Sequence, residues 1–188
     1  MARLRFFIAG NMTQTARFWL HPHRVCAIIY LKGGTRMAQI IRAAVQDSQA
    51  VHSITVQTIC AVYPHYYPAG AVEFFIAHHS DERIAADIAS GIVYLLVKGE
   101  TPVGTVTIRG NEICRLFVLP EYQGKGYGRI LLDFAETAIL AQHPQIVLDA
   151  SLPAKSIYLR RGYVPGEFHT IETSNGDKLC YDILTKKG

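Results

Sequence analysis

The sequence predicts one mixed α/β domain, a central and mostly antiparallel sheet flanked by helices. Three observations predict it. The 188 residues suit a single domain, and 49% hydrophobic against 18% charged residues supply a core. Short runs rich in β-branched residues alternate with longer segments whose apolar residues recur at helical spacing. Gly, Pro and Asn-Gly signals separate these segments, and no internal repeat is visible.

Each element follows in order. Residues 38–43 (AQIIRA) read as a strand. Asp47 is the expected N-cap of a helix through about Val62, which Pro64 ends. Tyr63 to Pro68 form an aromatic loop, and 71–78 a second helix. Ser80 is placed to cap a third helix, whose first-turn Asp81 and Glu82 complement the helix dipole and which ends at Gly91. Residues 92–97 and 103–108 form a hairpin, and 112–119 add a third strand that Pro120 stops. A helix over 126–142 turns Leu131, Phe134, Ala135 and Ala138 to one side. A buried strand at 146–150, a helix at 153–161 and a hairpin of 163–171 with 178–184 complete the chain. Asn175-Gly176 marks that last turn.

Charge divides the chain at Met37. Residues 1–36 hold six basic residues and no acid, while 37–188 hold 13 basic against 15 acidic residues. The 37–188 portion is therefore expected to be the domain. The first 36 residues are an N-terminal extension with three readings: translated sequence upstream of a natural start at Met37, an organellar targeting segment, or an irregular arm. Purine-rich coding of Lys32-Gly33-Gly34, at ribosome-binding distance, favours the first. A mildly acidic domain argues against a nucleic-acid partner. The longest apolar run, Val25 to Leu31, is far short of the ~20 residues of a membrane helix. Four scattered cysteines (Cys26, Cys60, Cys114, Cys180) argue against a disulfide scaffold and for a reducing, cytoplasmic setting. No His or Cys spacing suggests a metal.

The most informative stretch is Gln123-Gly124-Lys125-Gly126-Tyr127-Gly128-Arg129, between an apolar strand and an apolar-faced helix. A helix N-terminus presents unpaired N–H groups, and glycines allow a phosphate close to them. A plain tight turn is the alternative. The glycine spacing fits neither G-x-x-x-x-G-K-[ST] nor G-x-G-x-x-G, so a P-loop NTPase is excluded and a dinucleotide site poorly supported.

The stretch resembles the R/Q-x-x-G-x-G/A pyrophosphate loop of the GNAT superfamily of N-acetyltransferases, with Gln123, Gly126 and Gly128 in the defined positions. Residues 115–122 resemble the strand and Pro-containing connection before that loop. Ala154, Tyr158, Gly162 and Tyr163 resemble the family's A-x-x-x-Y-x-x-x-G-[FY] ending. The element order from Met37 onward agrees.

The resemblance implies acetyl-CoA as cosubstrate, held where two parallel strands, here 112–119 and 146–150, splay apart. Its pyrophosphate would rest on N–H groups from Gln123 to Arg129 (Gly124, Lys125, Gly126, Tyr127 and Gly128 between them), and its pantetheine arm along Leu116, Phe117 and Val118. Lys125 and Arg129 are either phosphate partners or solvated surface cations. Tyr158 would protonate the leaving thiolate, and a backbone N–H near Val118 would meet the developing oxyanion.

Glu112, at the head of the central strand, is the first candidate for the base that deprotonates the amine; a solvated strand-end carboxylate is the alternative. Asp149 is read as a cap or ion-pair partner, His78-His79 as helix surface, His169 as a hairpin residue near the acceptor, and a covalent route through Cys114 as disfavoured. Tyr63, His65, Tyr66 and Tyr67 would line the acceptor pocket, anchor their loop to the core, or contribute to a homodimer. The expected acceptor is a small-molecule amine on an apolar or cationic body. A protein lysine or N-terminus, or binding of acetyl-CoA without turnover, are the alternatives.

Overall fold

A computed structural model describes residues 4–6, 14–18, 25–31 and 36–188 of the chain. Three strands, β1 (Leu4–Phe6), β2 (Gln14–Phe18) and β3 (Val25–Leu31), fall within the segment expected to be an extension. Lys32-Gly33-Gly34 lies outside the described residues. Next come β4 (Arg36–Arg42), α1 (Ser48–Val62), α2 (Ala69–His78), α3 (Asp81–Ala89), β5 (Val93–Lys98), β6 (Thr101–Arg109) and β7 (Glu112–Val118). Then follow α4 (Tyr127–Leu140), β8 (Gln145–Ser151), α5 (Leu152–Arg160), β9 (Val164–Glu172) and β10 (Lys178–Lys187). The described strands make one sheet in the order β1-β2-β3-β4-β5-β6-β7-β8-β10-β9.

All neighbours are antiparallel except β7 and β8, which run parallel and share one registered pair, Glu112 with Val147. Beyond it the two strands part, as expected for the splayed pair. On the far side, seven consecutive pairs from Tyr181–Ser151 to Lys187–Gln145 fix β8 to β10.

The sheet separates two cores. On one face α4 buries Leu131 and Ile139 against Ile146, Leu148 and Ala150 of β8, with Tyr158 and Tyr163 nearby. Burying each such aliphatic side chain stabilises by about 1.5–3 kcal/mol. On the other face α1, α2 and α3 bury Val51, Ile54, Ile59, Ala71, Ile84 and Ile88 against Leu95 and Phe117. Strand alternation then turns Val147, Asp149 and Ser151 toward the α1–α3 face.

In β7 the register slips: Thr107 faces Arg115, while Ile108 faces Ile113. The extra residue keeps Ile113 in the α4 core and turns Arg115 and Phe117 to the other face.

One local expectation is corrected. Asp47 holds the N-cap position of α1 but makes no side-chain capping bond there; its carboxylate turns back to accept the Ala44 N–H at 2.8 Å, closing a 3₁₀ turn. Asn175-Gly176 does lie in the β9–β10 turn, which the Thr173 N–H closes onto Asp177 O at 2.8 Å. Asp177 thereby reaches α2, accepting the Gly70 N–H at 2.8 Å, where the N-cap Pro68 has no side-chain acceptor.

Candidate active site

The glycine loop crosses from the end of β7 to the start of α4. Gln123 Nε2 donates to Val118 O at 2.9 Å, and Thr58 Oγ1 shares its proton between Ile54 O at 2.7 Å and the same Val118 carbonyl at 3.1 Å. The motif glutamine therefore ties the loop to the strand it leaves. Gly126 caps α4 at φ +85°, a left-handed conformation that glycine adopts without steric cost. Ile130 N–H is the amide that closes the first turn, onto Gly126 O at 3.1 Å. Helix geometry leaves the N–H groups of Tyr127, Gly128 and Arg129 with no acceptor in the helix. A Cβ added at Gly124 or Gly126 would meet nothing within 4 Å, so open space lies over the loop.

Along β7, Leu119 N–H bonds Val103 O at 3.0 Å on the β6 side. Backbone alternation aims the N–H groups of Leu116 and Val118 the other way, into the splay. A cleft of about 640 Å³ occupies this space, running from the glycine loop past Leu116, Phe117 and Val118 to Tyr158. A second cleft, of about 330 Å³, lies on the α1–α3 face between α2 and the strands β7, β8 and β10. Tyr63, Leu116, Phe117, Ser151, Ala154 and Tyr158 line both clefts and form the neck between them.

Tyr158 is 8% exposed, and its ring packs edge-on against Tyr163 at 5.4 Å. Burial, reinforced by nearby Tyr63 and Glu136, raises its pKa well above the ordinary tyrosine value. Its hydroxyl therefore keeps its proton at neutral pH. Beside it, Tyr63 OH donates to Ser151 Oγ at 3.2 Å.

The residues expected to bind the cofactor divide. Leu116, Phe117, Val118, Gln123, Gly124, Gly126, Gly128 and Arg129 line the larger cleft. Lys125 turns away, donating to Glu121 O at 2.7 Å over the Tyr122 ring. Tyr127 is buried against Tyr122, so its contribution is confined to its backbone. Arg161 lines the larger cleft with its charge matched, at 2.6 Å from Asp133 and 2.7 Å from Glu136.

The aromatic loop also divides. Tyr63 reaches the neck. Tyr67 is buried, accepting Leu152 N–H at 2.7 Å and donating to Cys180 O at 2.8 Å, so it anchors the loop. His65 and Tyr66 are exposed and line neither cleft.

The second cleft holds Glu112, Asp149, Cys114, His78 and His79. His79 is not helix surface. It is 7% exposed, accepts Arg115 Nε–H on Nδ1 at 3.4 Å and packs on Phe117. Burial, then the Arg115 charge, pushes its pKa down to about 3, so it is neutral with its remaining proton on Nε2. Arg115 itself donates to Thr107 Oγ1 at 2.7 Å and Asp87 at 3.1 Å. Burial pushes the Cys114 thiol up to about 11, which leaves it a poor nucleophile at neutral pH. Among the described residues no group of three or more His, Cys, Asp or Glu is disposed to hold a metal ion.

Sequence reasoning missed Ser151 and Thr58. The alternation Val147-Asp149-Ser151 was the available signal for the first; Thr58 carried none, because a threonine mid-helix reads as packing.

Residues 62–173 match the acetyltransferase (GNAT) domain, and the chain belongs to that family. Solved structures agree with the fold. A GCN5-related N-acetyltransferase from Rhodopseudomonas palustris is 25% identical, with a TM-score of 0.73 over 79% of this chain and 94% of that one. The PaiA N-acetyltransferase of Thermoplasma acidophilum, solved in complex with coenzyme A, is 20% identical, with a TM-score of 0.62 over 80% and 99% of the two chains. Naa50 of Arabidopsis thaliana, bound to a bisubstrate analogue, is 19% identical, with a TM-score of 0.57 over 81% and 99%. No curated protein sequence matches the chain.

Proposed function

We propose that this protein transfers an acetyl group from acetyl-CoA to a primary amine of a small molecule, with Tyr158 as the proton donor to the leaving group. The observation that carries this reading is the neck. A protonated tyrosine and a strand edge with free N–H groups stand where the cleft beneath the glycine loop meets a second, smaller one.

The residues present suit acetyl-CoA: a glycine-opened helix N-terminus suits a pyrophosphate, and the unpaired β7 edge suits an amide-bearing arm added like a strand. When bound, acetyl-CoA supplies a thioester whose carbon is open to attack and whose sulfur departs as thiolate. The chain's part is to orient and to manage charge. The N–H groups of Tyr127, Gly128 and Arg129 hold the phosphates, and the Leu116 and Val118 N–H groups face the arm. Val118 N–H is a donor for charge developing on the carbonyl oxygen. Tyr158 holds its proton at the phenol oxygen until sulfur needs it, and the proton that the attacking amine sheds leaves through the second cleft, where Glu112 and Asp149 lie. Its high pKa suits this, since it does not lose the proton to solvent beforehand.

A peptide amine is the alternative acceptor. The confinement of the second cleft to about 330 Å³ favours a small molecule. The test is thiol release from acetyl-CoA across a panel of primary amines, with the acetylated product identified by mass. Thermal shift checks the cofactor: CoA at 100 times its Kd adds about 2.7 kcal/mol of stability, whereas NAD and ATP should add none. A folded protein that no CoA ligand stabilises refutes the proposal.

A further inference from the structure

Resting on the reading of the chain as an amine acetyltransferase, we propose that Asp149 receives the acceptor's ammonium group in the second cleft. The acceptor is then a small primary alkylamine on an apolar or aromatic body, with no carboxylate beside its nitrogen.

The placement of Asp149 comes from the sheet. Val147, Asp149 and Ser151 share the α1–α3 face of β8, because Ile146, Leu148 and Ala150 are buried on the other. Ser151 stands in the neck beside Tyr158, and Asp149 lies two residues, about 7 Å, before it along the strand. A nitrogen held by this carboxylate is therefore within reach of the neck. Glu112 is the alternative carboxylate, but it sits where β7 and β8 are still paired, five residues and roughly 16 Å before Phe117 along β7.

Among the described residues neither Asp149 nor Glu112 has an ion-pair partner, and Asp149 is the one nearer the neck. The two guanidinium groups of the cleft are already engaged: Arg109 and Arg115 share Asp87, at 2.8 and 3.1 Å. Glu112 lies near Arg109 and adds to its field. Asp149 has no ion-pair partner among the described residues. The groups facing it are His78 on α2, His169 on β9 and Tyr181 on β10. His78 is held toward its neutral form by burial and by Arg83. His169 lies 3.2 Å from the exposed Glu167 carboxylate and stacks on Tyr181. Desolvation raises the Asp149 pKa, and the two histidines offset this in part. A carboxylate open to the cleft and lacking a fixed cation fits an arriving one.

The walls describe the rest of the acceptor. Phe74 and Phe75 of α2 face Ile171, Leu179 and Tyr181 across the cleft. They suit an apolar body and give a cation aromatic faces. A carboxylate beside the acceptor nitrogen would be pressed against Asp149.

The test uses matched pairs that differ only in that carboxylate: 2-phenylethylamine with phenylalanine, and n-pentylamine with norleucine. Each is titrated calorimetrically into the full chain with CoA present. The expected result is at least tenfold tighter binding of the amine in one pair or both. Asp149→Asn should weaken amine binding about tenfold or more and narrow the gap, Asp149→Glu should restore part of it, and Glu112→Gln should leave it in place. Equal binding by wild type and Asp149→Asn, preference for the amino acids, or no binding of either amine would overturn the proposal. Because binding is read without turnover, absence of thiol release would sink the acetyltransferase reading separately.

Discussion

The Tyr63 hydroxyl donates to Ser151 Oγ at 3.2 Å, joining the C-cap residue just after α1 to the last residue of β8. The bond spans the neck between the two clefts. Tyr63 also packs edge-on against Phe75 at 4.7 Å, so α1, α2 and the parted strand β8 are held through one side chain. Thr58 and Gln123 fix the facing strand at Val118 O. The opening between β7 and β8 is thus braced from both sides rather than left as loose pairing.

Gly126→Ala should separate backbone strain from ligand contact. At φ +85° an alanine costs about 1–2 kcal/mol, although its Cβ would meet nothing within 4 Å. Denaturant melts should show that loss, and calorimetry a weaker CoA affinity through the intruding methyl. Unaltered CoA affinity would remove the loop from the phosphate site.

Asp177→Ala removes the acceptor that the β9–β10 turn lends to α2 at Gly70. Loss of a helix cap costs about 1 kcal/mol, so Tm should fall by roughly 2–4 °C. Because α2 walls the second cleft, the KM for the amine should rise more than the KM for acetyl-CoA. Equal changes in both would mean that α2 is not the acceptor wall.

Asp87→Ala leaves Arg115 buried without its carboxylate, and should destabilise by about 3–5 kcal/mol. The double variant Asp87→Leu/Arg115→Met should be less destabilised than the sum of its singles, which a double-mutant cycle measures directly.

His79 gives stability a defined pH dependence. Above its ordinary value of 6.5 neither the folded nor the unfolded state protonates it. Below 6.5 the unfolded chain takes a proton that the folded one refuses until about pH 3. Stability should therefore fall as pH drops through that window, by at most about 1.4 kcal/mol per unit from this group. Urea melts of wild type and His79→Asn at pH 7 and about 5 isolate it: the variant should lose less. Identical losses would mean that His79 is free to protonate in the fold.

Much of the fold was legible because its signals are local. Ser80 does cap α3, accepting from Arg83 N–H at 3.4 Å, and α1 ends at Val62 before Pro64. The glycine loop was legible because few backbones combine a left-handed cap with an open helix end. Other features depend on contacts distant in sequence. Nothing near Asp47 announces that its carboxylate turns backward, and nothing near Asp177 that it caps a helix 107 residues away. Tyr63, Tyr66 and Tyr67 are chemically alike, yet only the fold sends one to the neck, one to solvent and one to the core. His79 read as surface because its burial depends on the β7 bulge that turns Arg115 toward it.

The most direct test of the central claim is steady-state kinetics of Tyr158→Phe beside calorimetric titration with acetyl-CoA. The substitution removes one oxygen and keeps the packing against Tyr163. The kcat should fall by about 10²–10⁴, with acetyl-CoA affinity and Tm nearly unchanged. A variant that turns over as fast as wild type would contradict it, since no proton would then pass from Tyr158 to the leaving thiolate.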